Sequence, residues 1–318
     1  MSSAGPEEQR VTSREAWETA AEAWGRLAGR VREWGMPVSK AMIKSLTLAP
    51  GERVLELAAG PGDTGFMAAE LIRRADGAST AGPTEAEPAS ASASASPAAG
   101  GRHAGAVPPG TLISSDGAEA MVDIARQRAR ESGVSNVEFR QLELEWIDLP
   151  AASVDAVLCR WGIMLIVDPE AAAREIRRVL VTGGRAALAV WDAADRNPWA
   201  TIPSGVMIEL GHVQPPDPGG PGMFALAADG SLADLLEGAG FTDVDVSAVA
   251  LERRYLTVDQ YVADTLELSP TFRSVYRELG DEEQAEAAAR IAIGARAFTA
   301  ADGSLALPGS SLVARAIA

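Results

Sequence analysis

The sequence predicts an α/β fold, a largely parallel sheet with helices wound over both faces. Three observations carry this expectation. The run Val54 to Leu57 continues through Ala58 and Ala59 into Gly60-Pro61-Gly62-Asp63-Thr64-Gly65, as a buried strand turning tightly into a helix would. Short apolar runs near 111–115, 137–142 and 154–159, and another ending at Trp191, alternate with helical patterns, which is the signature of βαβ units. Residues 76 to 110 interrupt the alternation and are dominated by Ala, Ser, Pro and Gly. With that stretch set aside, about 19 positions separate Gly62 from Asp116, close to the spacing between such a turn and an acid that binds a ribose.

Composition narrows the function classes. The chain has 318 residues, 47% of them hydrophobic and 23% charged, enough for one large domain or a domain with a cap. It has no run of eighteen apolar residues, so no membrane span is expected, and the polar, acidic start from Met1 to Arg10 reads as cytoplasmic rather than as a secretory signal. A net charge of -16 argues against a nucleic-acid partner, because phosphate backbones are held by clustered Lys and Arg. Cys159 is the only cysteine and His103 and His212 the only histidines, so neither a disulfide nor a metal site is expected.

Taken in order, the first 50 residues read as lid or cap helices. Trp17, Trp24, Leu27, Val31 and Trp34 recur at helical spacing after a Thr12 or Ser13 cap, and Pro37 is expected to open a second helix ending near Leu46. Pro50-Gly51 turns the chain into the first strand. The helix after it runs from about Asp63 to Arg74, with Asp63 expected to cap its own free amides. Residues 76 to 110 are expected to form a disordered insertion, with His103 inside it and outside the chemistry.

The second strand, Thr111 to Ser115, delivers Asp116 to its carboxyl end, where two oxygens can accept from both hydroxyls of a ribose. The next helix shows Met121, Val122, Ala125 and Ala129 on one face, with Met121 close enough to its start to touch an adenine. Val137 to Leu142 and Val154 to Cys159 are the third and fourth strands. Asp168-Pro169 caps and opens a helix with Ile176, Val179 and Leu180 inward, and Gly183-Gly184 leads to the fifth strand. Residues 195–228 and 257–300 are too apolar for linkers and read as cap segments around a helix near 231–239 and a strand near 241–250. A last strand follows at Ser304 to Ala316.

The glycine spacing permits both a nicotinamide-dinucleotide and an S-adenosylmethionine site. Glu56, inside the first strand, favours the second: its carboxylate would repel a pyrophosphate but can face the ammonium of a methionine tail. The stretch Val54 to Gly65 resembles motif I of the class I S-adenosylmethionine-dependent methyltransferases, with Ala58 where many members carry another glycine. Arg174-Glu175-Ile176-Arg177-Arg178-Val179-Leu180, followed by Gly183-Gly184, resembles the type 11, ubiquinone- and menaquinone-type small-molecule branch. The resemblance implies a Rossmann-like seven-stranded sheet in the order 3-2-1-4-5-7-6, the last strand antiparallel, spanning residues 51–318 behind the lid at 1–50. It also implies a cofactor site of Glu56, Ala58, Gly60, Gly62, Asp116, Met121, Glu143, Leu144 and Cys159. Glu143 stands where the family usually has Asp-Ala, the acid that accepts from the adenine amino group, and Glu145 is the alternative one register away.

The reaction implied is methyl transfer to oxygen or carbon of an apolar or aromatic small molecule, in specialised metabolism or a quinone-like pathway. Alignment and desolvation supply much of such catalysis, and indole faces can hold a sulfonium, with Trp161, Trp24 and Trp17 as candidates. Arg160 and Trp161 lie at the fourth strand's tip between cofactor and acceptor, and His212 is the candidate base. Two other classes stay open: a nicotinamide-dependent oxidoreductase, which lacks a Tyr-x-x-x-Lys pair here, and a non-catalytic cofactor-binding scaffold, which a filled space beside Trp161 would favour.

Overall fold

The computed structural model describes residues 5–73, 110–216 and 219–318. The segment expected as an insertion, with His103, therefore lies outside the described residues except for Gly110. Strand β1 (Val54–Leu57) pairs in parallel with β2 (Leu112–Asp116) and β4 (Val154–Arg160), and β2 carries β3 (Val137–Gln141) at its other side. Beyond β4 come β5 (Leu180–Trp191), then β7 (Leu305–Ile317) and β6 (Thr242–Tyr255), both last pairings antiparallel. The sheet order is β3-β2-β1-β4-β5-β7-β6, as the resemblance implied.

The central strands are buried along nearly their whole length, which is why they read as unbroken apolar runs rather than as alternating ones. Three of the parallel crossovers carry a helix, α3 (Asp63–Ile72), α4 (Glu119–Ser132) and α5 (Pro169–Val179), whereas the connection from β3 to β4 carries none; α7 (Ser231–Gly238) packs beside α5 and β6. Asp168 caps α5 by accepting from the Ala171 N–H at 2.8 Å, and Pro169 opens it, as the sequence predicts.

Upstream, α1 (Pro6–Arg26) and α2 (Ala28–Leu46) depart from the expected boundaries. Helix α1 starts at a proline in its first position rather than after Thr12 or Ser13. Pro37 lies inside α2 and does not begin it. A proline there removes a hydrogen bond at a cost of roughly 3 kcal/mol, but Val31, Trp34, Val38, Met42 and Leu46 are all buried along one stripe of this helix, and that burial outweighs it. Helix α6 (Pro198–Glu209) lies in the first expected cap segment, and α8 (Val258–Leu268), α9 (Pro270–Glu278) and α10 (Asp281–Ala295) lie in the second. Helix α10 packs on α6 and α8, which joins the two segments, and no described helix is long and apolar enough to cross a membrane.

Candidate functional site

The glycine turn sits at the carboxyl ends of β1, β2 and β4. Gly60 and Gly62 have φ of 51° and 87°, left-handed values that favour glycine, and Ala58 takes φ 49° at a cost of about 1 kcal/mol. A side chain at Gly62 would run into the Phe66 ring, and one at Gly65 would overlap the Glu56 carboxylate. The turn is fixed to β2 by Asp116, whose Oδ2 accepts from the Gly60 N–H at 3.0 Å while Oδ1 accepts from the Ala118 N–H at 3.1 Å. Burial pushes the Asp116 carboxyl up to about 6, against the two amides that favour its charged form.

Glu56 is 3% exposed. Its Oε1 accepts from the Gly65 N–H at 2.7 Å and its Oε2 from Ser114 Oγ at 3.2 Å, so the carboxylate ties α3 to β1 and β2. Burial raises it to about 7, with the Gly65 amide and the Arg160 charge opposing. Asp63 does not cap α3 as expected: Gly62 holds the cap position with no side-chain bond, and Asp63 is drawn to Arg128 at 2.8 Å. An ion pair with a neighbouring helix is the stronger partner for a buried carboxylate than a fraying amide.

On the far side of the turn, Glu143 and Glu145 separate in role. Glu143 lies against Gly117, just past the end of β2, and accepts from Arg14 of α1 at 3.1 Å. Glu145 binds Arg10 at 2.8 Å and accepts from the Asp168 N–H at 2.7 Å, which commits it to joining α1 to the start of α5. Leu144 is buried near Gly162. Met121 is 2% exposed and packs with Ala21 and Ala118 beneath Trp17 and Trp24, so the structure gives it to the α1–α4 contact. Those two indoles meet edge-on at 5.5 Å, and Trp24 Nε1 donates to the Leu268 carbonyl, which ties the pair to the contact of α1 with α4 and the second cap segment.

At the tip of β4, Cys159 is fully buried with its thiol pushed up to about 12 by burial, an inert packing group beside Gly162. Trp161 has φ 61°, a strained value for an indole, and its Nε1 donates to Ser311 Oγ at 3.0 Å. Its ring stacks on Trp191 with centroids 4.1 Å apart, and the Arg160 guanidinium lies 4.7 Å from its centroid. Arg160 also lies against Gly35 of α2, where a side chain would overlap its Nη1. His212 sits in the turn after α6, with its backbone N–H on the Met207 carbonyl, and no described hydrogen bond or ion pair joins its imidazole to these strand ends.

The aromatic cluster behind Trp161 is larger than the sequence reading foresaw. Trp191 ends β5, Trp199 starts α6 at 4.8 Å from it, and Trp34 of α2 lies 5.5 Å from Tyr255. Arg253 of β6 stands among them, 3.2 Å from the Trp199 centroid and 4.7 Å from that of Trp34. The period-two alternation Leu251, Arg253, Tyr255 on one face of the strand was the signal that could have placed it inward.

The residues present fit an adenosine-bearing sulfonium cofactor: a glycine cradle left-handed at Gly60 and Gly62 and closed to side chains at Gly62 and Gly65, an acid at the β2 end bonded to that cradle, and a second acid beside Gly117. The family model described as a methyltransferase domain matches residues 94–188, which takes in β2 to β5 but not the glycine turn. An uncharacterized methyltransferase of Bacillus subtilis, YcgJ, is 38% identical over 73 residues, 23% of this chain and 29% of that protein. The ubiquinone/menaquinone biosynthesis C-methyltransferase UbiE of Xanthomonas oryzae is 27% identical over 145 residues, 45% of this chain and 44% of that protein. The matches thus span less than half the length of these curated relatives. The crystal structure of YcgJ superposes with a TM-score of 0.53 at 17% identity, covering 88% of this chain and 97% of that one. The [4+2]-cyclase SpnF superposes at 0.53 and 16% identity, covering 95% and 94%. Both are similar in fold. With the sheet order, the glycine cradle and the matched domain taken together, the chain is similar to the class I S-adenosylmethionine-dependent methyltransferases.

Proposed function

We propose that this protein transfers a methyl group from S-adenosylmethionine to oxygen or carbon of an apolar or aromatic small molecule. The observation that carries the reading is the bond from Asp116 to the Gly60 amide, which sets a ribose-binding acid directly beside the cradle that would hold the cofactor's tail. When bound, the cofactor supplies an electrophilic methyl on a sulfonium. Around it, Gly60 and Gly62 let the backbone approach, Asp116 takes the ribose, Glu143 the adenine edge, and buried Glu56 sets a negative potential beneath the tail. Trp161, Trp191 and Trp199 present the aromatic surroundings that favour an aromatic acceptor.

His212 is not placed as the base in this reading, because nothing described ties it to the strand ends; Arg160 and Trp161 act by alignment and desolvation. The cap helices α6, α8 and α10 set acceptor specificity, the likeness to UbiE supports a quinone-like or specialised aromatic acceptor, and the acidic composition supports action on small molecules rather than on nucleic acid.

One observation favours a non-catalytic cofactor-binding protein: both neighbours of Trp161, Trp191 and Arg160, lie directly against its ring. Two measurements decide. Calorimetric titration with S-adenosylhomocysteine, NADH and NADPH is expected to give micromolar binding of the first alone, and nicotinamide binding would overturn the assignment. Transfer of labelled methyl from S-adenosylmethionine to phenols, quinols or polyketides is then expected, and its absence across the panel despite tight cofactor binding would leave the scaffold reading in its place.

A further inference from the structure

Two buried guanidinium groups lie near the strand tips, and they face different chemistry. Arg160, on β4, lies against Gly35 and feels the charges of Asp63 and Glu56, which puts it on the cofactor side. Arg253, on β6, lies beyond the Trp161–Trp191 stack, surrounded by Trp34, Trp191 and Trp199. It belongs to the other side, where the cap segments meet the sheet.

Among the described residues, no ion pair holds Arg253. Tyr255 is its hydrogen-bond partner, and its Nε is buried with no partner among the described residues. The carboxylate whose charge reaches it, Asp264, is already held by Arg30. Indole faces attract a cation from above and below the guanidinium plane, but they leave its edge N–H groups unanswered. A buried cation with an unanswered edge is costly unless an anion meets it, and the planar fork of an arginine matches a carboxylate or a phenolate oxygen. Trp34 comes from α2 and Trp199 from α6, so the two rings nearest Arg253 belong to the two segments expected as lid and cap.

Resting on the methyltransferase reading above, we propose that the methyl acceptor is a planar aromatic anion whose negative group is bound by the edge of Arg253 while its ring lies against the indole cluster. The strongly acidic composition disfavours anions in general, so Arg253 acts as a local selector and not as part of a broad basic patch.

The test uses the full chain saturated with S-adenosylhomocysteine and reads tryptophan fluorescence. The probes are hydroxyaryl carboxylates of one, two and three rings, each paired with its neutral carboxamide. At least one carboxylate is expected to bind about tenfold or more tighter than its carboxamide, with Arg253→Gln erasing that preference and Arg253→Lys keeping part of it. S-adenosylhomocysteine affinity is expected to stay within about twofold in both variants. If Arg253→Gln fails to fold, the Arg253→Lys variant and the unaltered carboxylate-to-carboxamide ratio still decide. Equal binding of the paired probes, a preference that survives Arg253→Gln, or no carboxylate binding while S-adenosylhomocysteine binds overturns the proposal alone. Failure of the unaltered chain to bind S-adenosylhomocysteine overturns the methyltransferase reading and the proposal with it.

Discussion

Each oxygen of Asp116 holds one backbone amide, Gly60 through Oδ2 and Ala118 through Oδ1, and each keeps a second lone pair for a ligand hydroxyl. Asp116→Ala is therefore expected to weaken S-adenosylhomocysteine binding by about 1.5 to 3 kcal/mol, roughly 10- to 100-fold, when titrated calorimetrically. Unchanged affinity would remove the residue from the site. Glu56 gives a pH signature. Its folded value of about 7 lies above the ordinary 4.5, so the native state holds the proton more tightly than the unfolded chain. Stability from this group is present below pH 4.5 and lost as pH rises to 7, by about 3 kcal/mol. In urea titrations the wild type is expected to weaken across that window, and Glu56→Gln to flatten the trend except for the part from Asp116, which is raised in the same direction to about 6. A slope unchanged by the substitution would show that Glu56 ionises freely in the fold. At this scale the sequence was only partly legible. The spacing located Asp116 and the glycines, because turn geometry constrains them locally. It assigned Asp63 to a cap and Met121 to adenine because their true partners, Arg128 and the α1 indoles, are distant in the chain.

Helix α4 begins at Ala118 without a side-chain cap of its own, and the missing acceptor comes from α1. Glu18 accepts from the Glu119 N–H at 2.6 Å and the Ala120 N–H at 2.9 Å, while Arg14 and Arg10 of the same helix reach Glu143 and Glu145. One helix is thus bonded both to the start of α4 and to the two carboxylates that follow β3. Glu18→Ala is expected to cost about 1 kcal/mol in urea unfolding and to speed amide exchange at Glu119 and Ala120. Exchange at those amides as slow as in the wild type would show that α4 is capped by another group. The same contacts explain which elements could be read. The α5 start was legible because its cap and proline are adjacent to it, whereas the α1 and α2 limits were not, because Pro37 is carried by a buried stripe set by the sheet beneath. The cap at Glu18 left no trace in the sequence near α4.

At the scale of the whole molecule, the α/β class was legible in the alternation of apolar runs with helical patterns, while the strand order came from the family resemblance. The aromatic cluster was not, since Trp34, Trp191, Trp199 and Arg253 come from four separate elements that only the closed sheet brings together. The same closure bears on the Ala-, Ser-, Pro- and Gly-rich segment between α3 and β2. Its two flanks are held without it: Asn136 Nδ2 donates both to the Ala69 carbonyl of α3 at 2.8 Å and to the Gly110 carbonyl ahead of β2 at 2.9 Å, and the Gly51 N–H donates to the Ile72 carbonyl at 2.8 Å. Each of these bonds is made by residues 50–72 or 110–136, and the composition of the segment between them cannot supply a core. Loop-closure entropy changes only slowly with length, so shortening the connection is energetically mild and slightly favourable. Replacing residues 76 to 109 by a short Gly-Ser linker, which keeps Gly110, is therefore expected to leave the urea midpoint unchanged or slightly raised and S-adenosylhomocysteine affinity within about twofold. An unfolded product, or one that folds but loses the cofactor, would show that the segment is part of the domain rather than an insertion within it.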